Sequence, residues 1–424
     1  MPYLCRKFQK EMKKLLLFII CTAVMPISAQ TLTLEECRRL AHDNYPSVKQ
    51  YNLIEQTRDF TIDNASKAWL PQVNASVNGL AFTDILNLSN QMKQTGVDMK
   101  NMMAAGLVMI NQNIYDGGQV KAQKHIAAAQ ADVQKQQLNV SMYDLNQRIE
   151  QLYFGVLTLD EQIRQVELLQ NDLALSYKTI TAMINEGVAN QTDLDAVKVE
   201  QVKSQQTLEA QKTSRASYMQ MMGIFIGKKT DESTVLQKPA TVDVLNNEVN
   251  RPEMDYFKSQ SKLLDARRKQ LDTKLMPKLS AFGMGTYHTT VSDMINSGML
   301  AGGLTLSWNI GALYTRKNDI KNIDIQRLMI DSQRETFLFN NSLQNESTNG
   351  NIATLKRQIN QDDEIVSLRE SIRGKSEKRV KLGTESVNEM LRDINAVSQA
   401  RQQKALHEIQ LLKEIYSLKT INNN

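Results

Sequence analysis

The chain has 424 residues, enough for one large domain or two to three ordinary ones, with a mean hydropathy of −0.41 and a formal net charge of +5. Aromatic residues make up 6%, with 7 prolines and 18 glycines, a composition thin for a conventional globular core and suited to long helices. Beyond the first 30 residues no run approaches the roughly 18–20 apolar residues of a spanning helix, which excludes a bundle of transmembrane helices.

Residues 12–30, MKKLLLFIICTAVMPISAQ, carry two lysines, an apolar stretch, then Ile-Ser-Ala ahead of Gln30. This is the pattern of a secretory signal peptide, residues 1–29, cleaved after Ala29. The preceding MPYLCRKFQKE fits that pattern poorly, so the start is Met1 or Met12. Ile20 before Cys21 is not the small residue that lipidation needs. Loss of residues 1–29 removes Arg6, Lys7, Lys10, Lys13, Lys14 and Glu11 and lowers the net charge to +1. No basic footprint for nucleic acid remains. Cys37 is then the only cysteine, so neither an intrachain disulfide nor a thiolate cluster can form.

Leu32 to Ala68 reads as helix. Val73, Ala75, Val77, Gly79 and Ala81 then alternate with Gln72, Asn74, Ser76 and Asn78, the period of a strand with one apolar face, at about 72–82. A second strand is expected at about 104–115. No proline lies in 72–238 or 278–424, and proline costs about 3 kcal/mol in a helix, so long helices can run there. Leu138, Met142, Leu145, Ile149, Leu152, Val156, Leu159, Ile163 and Val166 step by four and three, a heptad stripe that packs on a neighbouring helix. At about 1.5 Å per residue, a helix from 119 to 186 spans roughly 100 Å. Strands follow at about 279–288 and 301–310, where Leu304, Leu306, Trp308 and Ile310 oppose Thr305, Ser307 and Asn309. The last long helix has a weaker stripe of Ile352, Leu355, Ile359, Ile365, Leu368 and Ile372.

The chain reads as written twice. WLPQVNASVNG (69–79) is similar to LMPKLSAFGMG (275–285), NIYDGG (113–118) to NIGALY (309–314), and EGVANQTDLDA (186–196) to LGTESVNEMLR (382–392). Asn113 to Asn309 and Gly187 to Gly383 share one offset of 196. The expected domains are a first repeat over 30–222, a linking segment over 223–251 and a second repeat over 252–424. Four amphipathic strands cannot close a barrel alone, and an open sheet with an apolar face is not viable in lipid. The strands must therefore pack on something else, or several copies must share one barrel.

These features together resemble the TolC-like outer-membrane efflux family, over essentially the whole mature chain. The resemblance implies a mainly α fold with a small β component. Three chains would supply a 12-stranded outer-membrane β-barrel, continued by a periplasmic α-helical barrel. It further implies a passive exit duct of a tripartite efflux or type I secretion system, in contact with outer-membrane lipid and fed by an inner-membrane transporter through a periplasmic adaptor.

Gly187 and Gly383 suit the left-handed position that ends a helix and are expected at helix-hairpin tip turns. Thr192, Ser386 or Asn388 can cap the returning helix. Asp193, Asp195, Glu389, Arg392 and Asp393 are candidate periplasmic-mouth residues, because rings of like charge focus a potential that selects ions. The structural alternative is that Asp193 and Glu389 serve only the helix N-terminus. In the family the second tip often carries two acids three residues apart. Here Glu389 matches the first and Arg392 stands at the second, where it can pair with Glu389 at i,i+3. Glu385 replaces an arginine that helps tie the mouth shut in some members.

No catalytic set, cofactor motif or metal-ligand spacing emerges. MGIFIGKKT (222–230) lacks the spacing and context of a phosphate loop. His42, His125, His288 and His407 are scattered, and the 20 methionines suit adaptable packing. The alternative reading is a periplasmic coiled-coil adaptor or structural protein. Whether the substrate is a drug, a metal or a protein is not encoded in these features.

Overall fold

The computed structural model describes residues 31–81, 102–231, 233–241, 249–290 and 297–423; the expected signal peptide, residues 1–29, lies outside them. The chain divides into two compact units. The first comprises Met1–Tyr45, Leu145–Leu245 and Ser347–Thr420; the second comprises Pro46–Asp144, Asn246–Glu346 and Ile421–Asn424.

The expected helix over 32–68 is interrupted. Leu32 belongs to a short strand β1 (Thr31–Leu32), paired in parallel with β4 (Val235–Leu236). Helix α1 (Leu34–Asn44) follows, with the Thr33 hydroxyl accepting from the Glu36 N–H at 3.2 Å. It stops at Tyr45, which is extended (φ −66°, ψ 129°), because the residue before a proline avoids the helical region. A single 3₁₀ turn, Pro46–Val48, leads to α2 (Lys49–Ser66).

In the second unit, β2 (Gln72–Ala81), β3 (Met102–Tyr115), β5 (Lys278–Thr290) and β6 (Ser297–Ser307) form an antiparallel sheet in the order β2-β3-β5-β6, with helix α5 (Pro252–Thr273) preceding β5. Val73 faces Ile110, Ala75 faces Val108 and Val77 faces Gly106. Their row continues through Gly283, Gly285 and Tyr287 to Gly302, Leu300 and Gly298. That apolar face is open: Val77 is 82% and Leu300 91% exposed. β2 and β6 each pair on one side only among the described residues.

The last strand ends three residues before the expected 310. Trp308 leaves the ladder and its indole donates to the Leu275 carbonyl at 2.9 Å, while the Ala312 N–H bonds back to Asn309 and starts α6 (Ala312–Lys381). At the other strand-to-helix junction, the buried Asp116 carboxylate accepts from the N–H groups of Gly118 (2.8 Å) and Val120 (2.6 Å), capping α3 (Gln119–Asn185). Gly117 there has φ +69°, and a Cβ on it would stand 2.6 Å from Met276 Cβ.

The first unit is built on α3, α4 (Gln191–Ile226), α6 and α7 (Val387–Asn422). Glu150 of α3 lies between Arg38 of α1 and Thr420 of α7, bonded to both. Burial outweighs these partners and holds the Glu150 carboxyl above the usual range. The Tyr153 hydroxyl lies 2.9 Å from the Leu32 carbonyl and 2.6 Å from that of Gln237, tying α3 to the β1/β4 pair. The Cys37 thiol is buried and pushed up to about 12 by that burial.

All nine residues of the heptad stripe from Leu138 to Val166 are buried or half-buried. α6 departs from expectation. Ile365, Leu368 and Ile372 are exposed by 44–57%, and over 341–376 the buried positions are instead Asn341, Thr348, Leu355, Asp362 and Ser376. The apolar stripe continued past Ile359 therefore lies on the open face, and a largely polar stripe packs inward. Among the described residues no helix is long and apolar enough to cross a membrane.

Candidate functional site at two helix-hairpin turns

The two glycine breaks lie in the first unit and are built alike. After α3, Gly187 adopts φ +75°; its N–H bonds to the Ile184 carbonyl (3.0 Å), and the Val188 N–H reaches the Met183 carbonyl (2.9 Å). After α6, Gly383 adopts φ +71°; its N–H bonds to the Val380 carbonyl (2.9 Å), and the Thr384 N–H reaches the Arg379 carbonyl (3.0 Å). Both are Schellman turns, in which a left-handed residue closes the last helical turn. A Cβ on Gly383 would touch Val188 at 3.7 Å, so the turns lie side by side.

The returning helices start alike too. Asn190 caps α4: its side chain accepts from the Asp193 N–H (3.1 Å), and the Asp193 carboxylate accepts from the Asn190 N–H (3.1 Å). Ser386 caps α7: its hydroxyl accepts from the Glu389 N–H at 3.2 Å and donates to the Glu389 carboxylate at 3.4 Å. Neither Thr192 nor Asn388 caps. Asn190, missed in the sequence, was findable there, since Asn-x-x-Asp is a capping-box spacing.

Below the turns, Leu173, Ile180 and Met183 of α3 pack with Val197 of α4, Val380 of α6, and Val387, Met390, Leu391 and Ile394 of α7. These helices bury one common apolar core, which holds the two hairpins together.

The candidate charges divide by what they touch. Asp193 and Glu389 are engaged in caps. Asp195 is exposed and accepts from the Gln191 side chain at 2.9 Å, one turn back. Arg392 is exposed and Asp393 half-buried; no ion pair links Glu389 to Arg392 among the described residues. Glu385 turns inward. It accepts from the buried Ser376 hydroxyl at 2.8 Å and lies 3.5 Å from Arg379, both within its own hairpin.

Periodicity missed a set of charges further from the turns. Asp172 of α3 receives both forks of Arg373 of α6, at 2.6 and 2.9 Å. Arg373 also donates to Glu377 (2.7 Å), and Arg401 of α7 donates to Glu370 (2.6 Å). No local spacing announces a pair 201 residues apart.

Comparison with known proteins accords with this geometry. Residues 38–220 match the model of the outer membrane efflux protein family. No match to a curated protein reached significance. Among solved structures, the outer-membrane channel OprN superposes with a TM-score of 0.68 at 10% identity, over 92% of this chain and 89% of that one. The outer membrane protein VceC from Vibrio cholerae gives 0.63 at 11% identity, over 92% and 94%. The MtrE outer membrane channel of Neisseria gonorrhoeae, in its open state, gives 0.62 at 12% identity, over 95% and 93%. With the paired strands, the long helices and the twin Schellman turns, these matches give the chain the fold of those outer-membrane channels, and residues 38–220 are similar to the outer membrane efflux protein family.

Proposed function

We propose that the chain is a passive exit duct of an efflux or type I secretion system, assembled as a homotrimer in the outer membrane. Three copies then supply twelve strands to one β-barrel, and the helices form an α-helical barrel across the periplasm. A periplasmic adaptor and an inner-membrane transporter deliver the substrate. Residues 30–222 and 252–424 act as two repeats around the segment 223–251.

The observation that carries this reading is the open four-stranded sheet. Its apolar face is exposed, and among the described residues its edge strands β2 and β6 each pair on one side only. In lipid an unsatisfied edge costs several kcal/mol per polar group, and closed barrels are the β-structures that span it. Four strands fall short of the roughly eight of the smallest membrane barrels, so copies must join edge to edge. Exposed apolar residues along α6, among them Leu328, Phe339 and Leu368, supply surface for the same assembly. Trp69 precedes β2 and Trp308 follows β6, at one end of the sheet. Tryptophans favour such positions at a bilayer interface.

The turns at Gly187 and Gly383 become the periplasmic tips, and Asp193, Asp195, Glu389, Arg392 and Asp393 become charges at the mouth. Purified protein reconstituted in planar bilayers tests the proposal. Discrete ion-conducting steps from a detergent-stable trimer are expected. A monomer that stays in the soluble periplasmic fraction overturns it.

A further inference from the structure

Where α4 runs back along α3, the groove between them opens into a cleft of about 420 Å³, within the size range of small-molecule sites. Lys212, Ala216 and Met219 step by four and three along α4 and so share one face. Ile163 of α3 faces them, and the loop after α4 closes one end with Thr230 and Asp231. The Thr230 hydroxyl donates to the Met219 carbonyl at 2.7 Å, which fixes that end. The middle of the cleft is therefore apolar and its two ends are polar.

The charges of the cleft divide into those already matched and those left over. Arg215 bonds to Asp160 and donates to the Thr234 carbonyl at 3.0 Å. That pair is neutral as a unit. Lys212 has no hydrogen bond or ion pair among the described residues. One oxygen of Asp231 accepts from the Ser233 N–H (3.0 Å), the Ser233 hydroxyl (2.7 Å) and the Thr234 hydroxyl (3.1 Å). Its other oxygen has no partner among the described residues. These bonds, those of Ser233 foremost, hold the Asp231 carboxyl below the usual carboxylate range. One cation and one anion thus remain at opposite ends of the cleft.

A lone cation and a lone anion over an apolar middle complement a zwitterion. A phosphate ligand would need more than one free cation, and a fatty acid would meet an unmatched anion. Length selects among zwitterions. Gln220, the last residue of α4 to line the cleft, stands eight residues beyond Lys212, or roughly 12 Å along the helix. An extended dipeptide spans about 7 Å, and a charge-assisted bond of about 2.8 Å at each end extends its reach to roughly 12 Å. A single amino acid reaches roughly 9 Å and a tripeptide roughly 16 Å by the same reckoning.

We infer that this cleft binds a dipeptide with free termini, its carboxylate on Lys212, its ammonium on Asp231 and its apolar side chains over Ile163 and Met219. The inference stands apart from the duct reading, because every residue it uses lies in the first unit of one chain.

The test is saturation-transfer NMR of the full mature chain in detergent, titrated with alanyl-leucine, its N-acetyl form and its C-terminal amide. Alanyl-leucine is expected to saturate at a Kd on the order of 1 mM, the scale for a ligand of its size. Removing either terminal charge is expected to weaken binding about tenfold. Lys212→Met is expected to weaken the free dipeptide as much and to make amidation harmless. Asp231→Asn is expected to do the same for acetylation, since each variant removes the partner of one terminus. The new amide keeps an oxygen for Ser233 and Thr234, so the loop is retained. Lys229→Met changes the charge equally outside the cleft and is expected to match wild type. Equal binding of all three peptides overturns the inference, and so does an equal loss in Lys229→Met. No saturable signal from any peptide, as when a second copy covers the cleft, overturns it too. Should a variant fail to fold, the three peptides decide on wild type alone.

Discussion

Asp193 and Glu389 occupy the same position in two separate turns, 196 residues apart: each is the third residue of its helix, and each is hydrogen-bonded to the residue that caps it. A charge at the proposed mouth and a structural cap are therefore the same side chain, and an alanine substitution removes both. Asp193→Asn with Glu389→Gln separates them, because a neutral amide oxygen can still accept at the third position of a capping box. If these acids set the potential of the mouth, this double variant lowers cation selectivity, read as the reversal potential in a salt gradient, while the hairpins keep their stability. Unchanged selectivity assigns them to capping alone. Asn190→Ala and Ser386→Ala instead cost about 0.5–2 kcal/mol each, visible as faster amide exchange in the first turns of α4 and α7.

The features legible in the sequence are those whose partners lie nearby or repeat. The four-three stepping of Leu138 to Val166 marked the packed side of α3, and positive-φ glycine marked both turns. Alternation located β2 because Gln72, Asn74, Ser76 and Asn78 are polar. It overran β6 because Trp308 and Ile310 keep the pattern after the backbone has left the ladder. In α6 the buried side over 341–376 is Asn341, Thr348, Leu355, Asp362 and Ser376, and hydrophobic periodicity cannot find a polar interior. The helix expected over 32–68 breaks at Pro46, because the residue before a proline avoids the helical region. The Asp172–Arg373 fork joins residues 201 apart, and only the fold brings them together.

The Arg38–Glu150–Thr420 contact predicts an asymmetric response to mutation. Arg38→Ala leaves Glu150 buried without its counter-charge, and such a loss costs about 3–5 kcal/mol at neutral pH. Glu150→Gln is milder, since Arg38 keeps Glu35 at 2.8 Å. The pH dependence has a definite sign. Burial raises the folded-state pKa of Glu150 above its unfolded value. Its contribution is therefore fully present below the ordinary glutamate range and is lost as pH rises through the raised value. Wild type should gain thermal stability on acidification through that window relative to Glu150→Gln, measured by circular dichroism melts at a series of pH values.

The chain's two tryptophans give a direct measure of depth in the membrane. Trp69 and Trp308 flank the sheet at the end where it joins the helices. In reconstituted trimers their emission should be quenched strongly by lipids brominated near the headgroup and weakly by lipids brominated near the bilayer centre. Quenching by aqueous acrylamide with none from either lipid places that end of the sheet outside the membrane.

Val77 and Ser76 are neighbours on β2 whose side chains stand on opposite faces of the sheet, Val77 opposite Gly106 and Ser76 opposite Leu107. In the proposed barrel the face of Val77, with Val73, Ile110 and Leu304, meets lipid, and the face of Ser76, Asn74 and Gln72 lines the lumen. An arginine on the lipid face near mid-membrane costs about 2–4 kcal/mol per chain, and threefold symmetry applies that cost in every subunit. Val77→Arg should therefore reduce the trimer recovered from the outer-membrane fraction. Ser76→Arg should assemble normally, because its charge is solvated in the lumen, and should shift conductance toward anions. Equal assembly of both variants, or failure of Ser76→Arg alone, would show that the faces are oriented the other way.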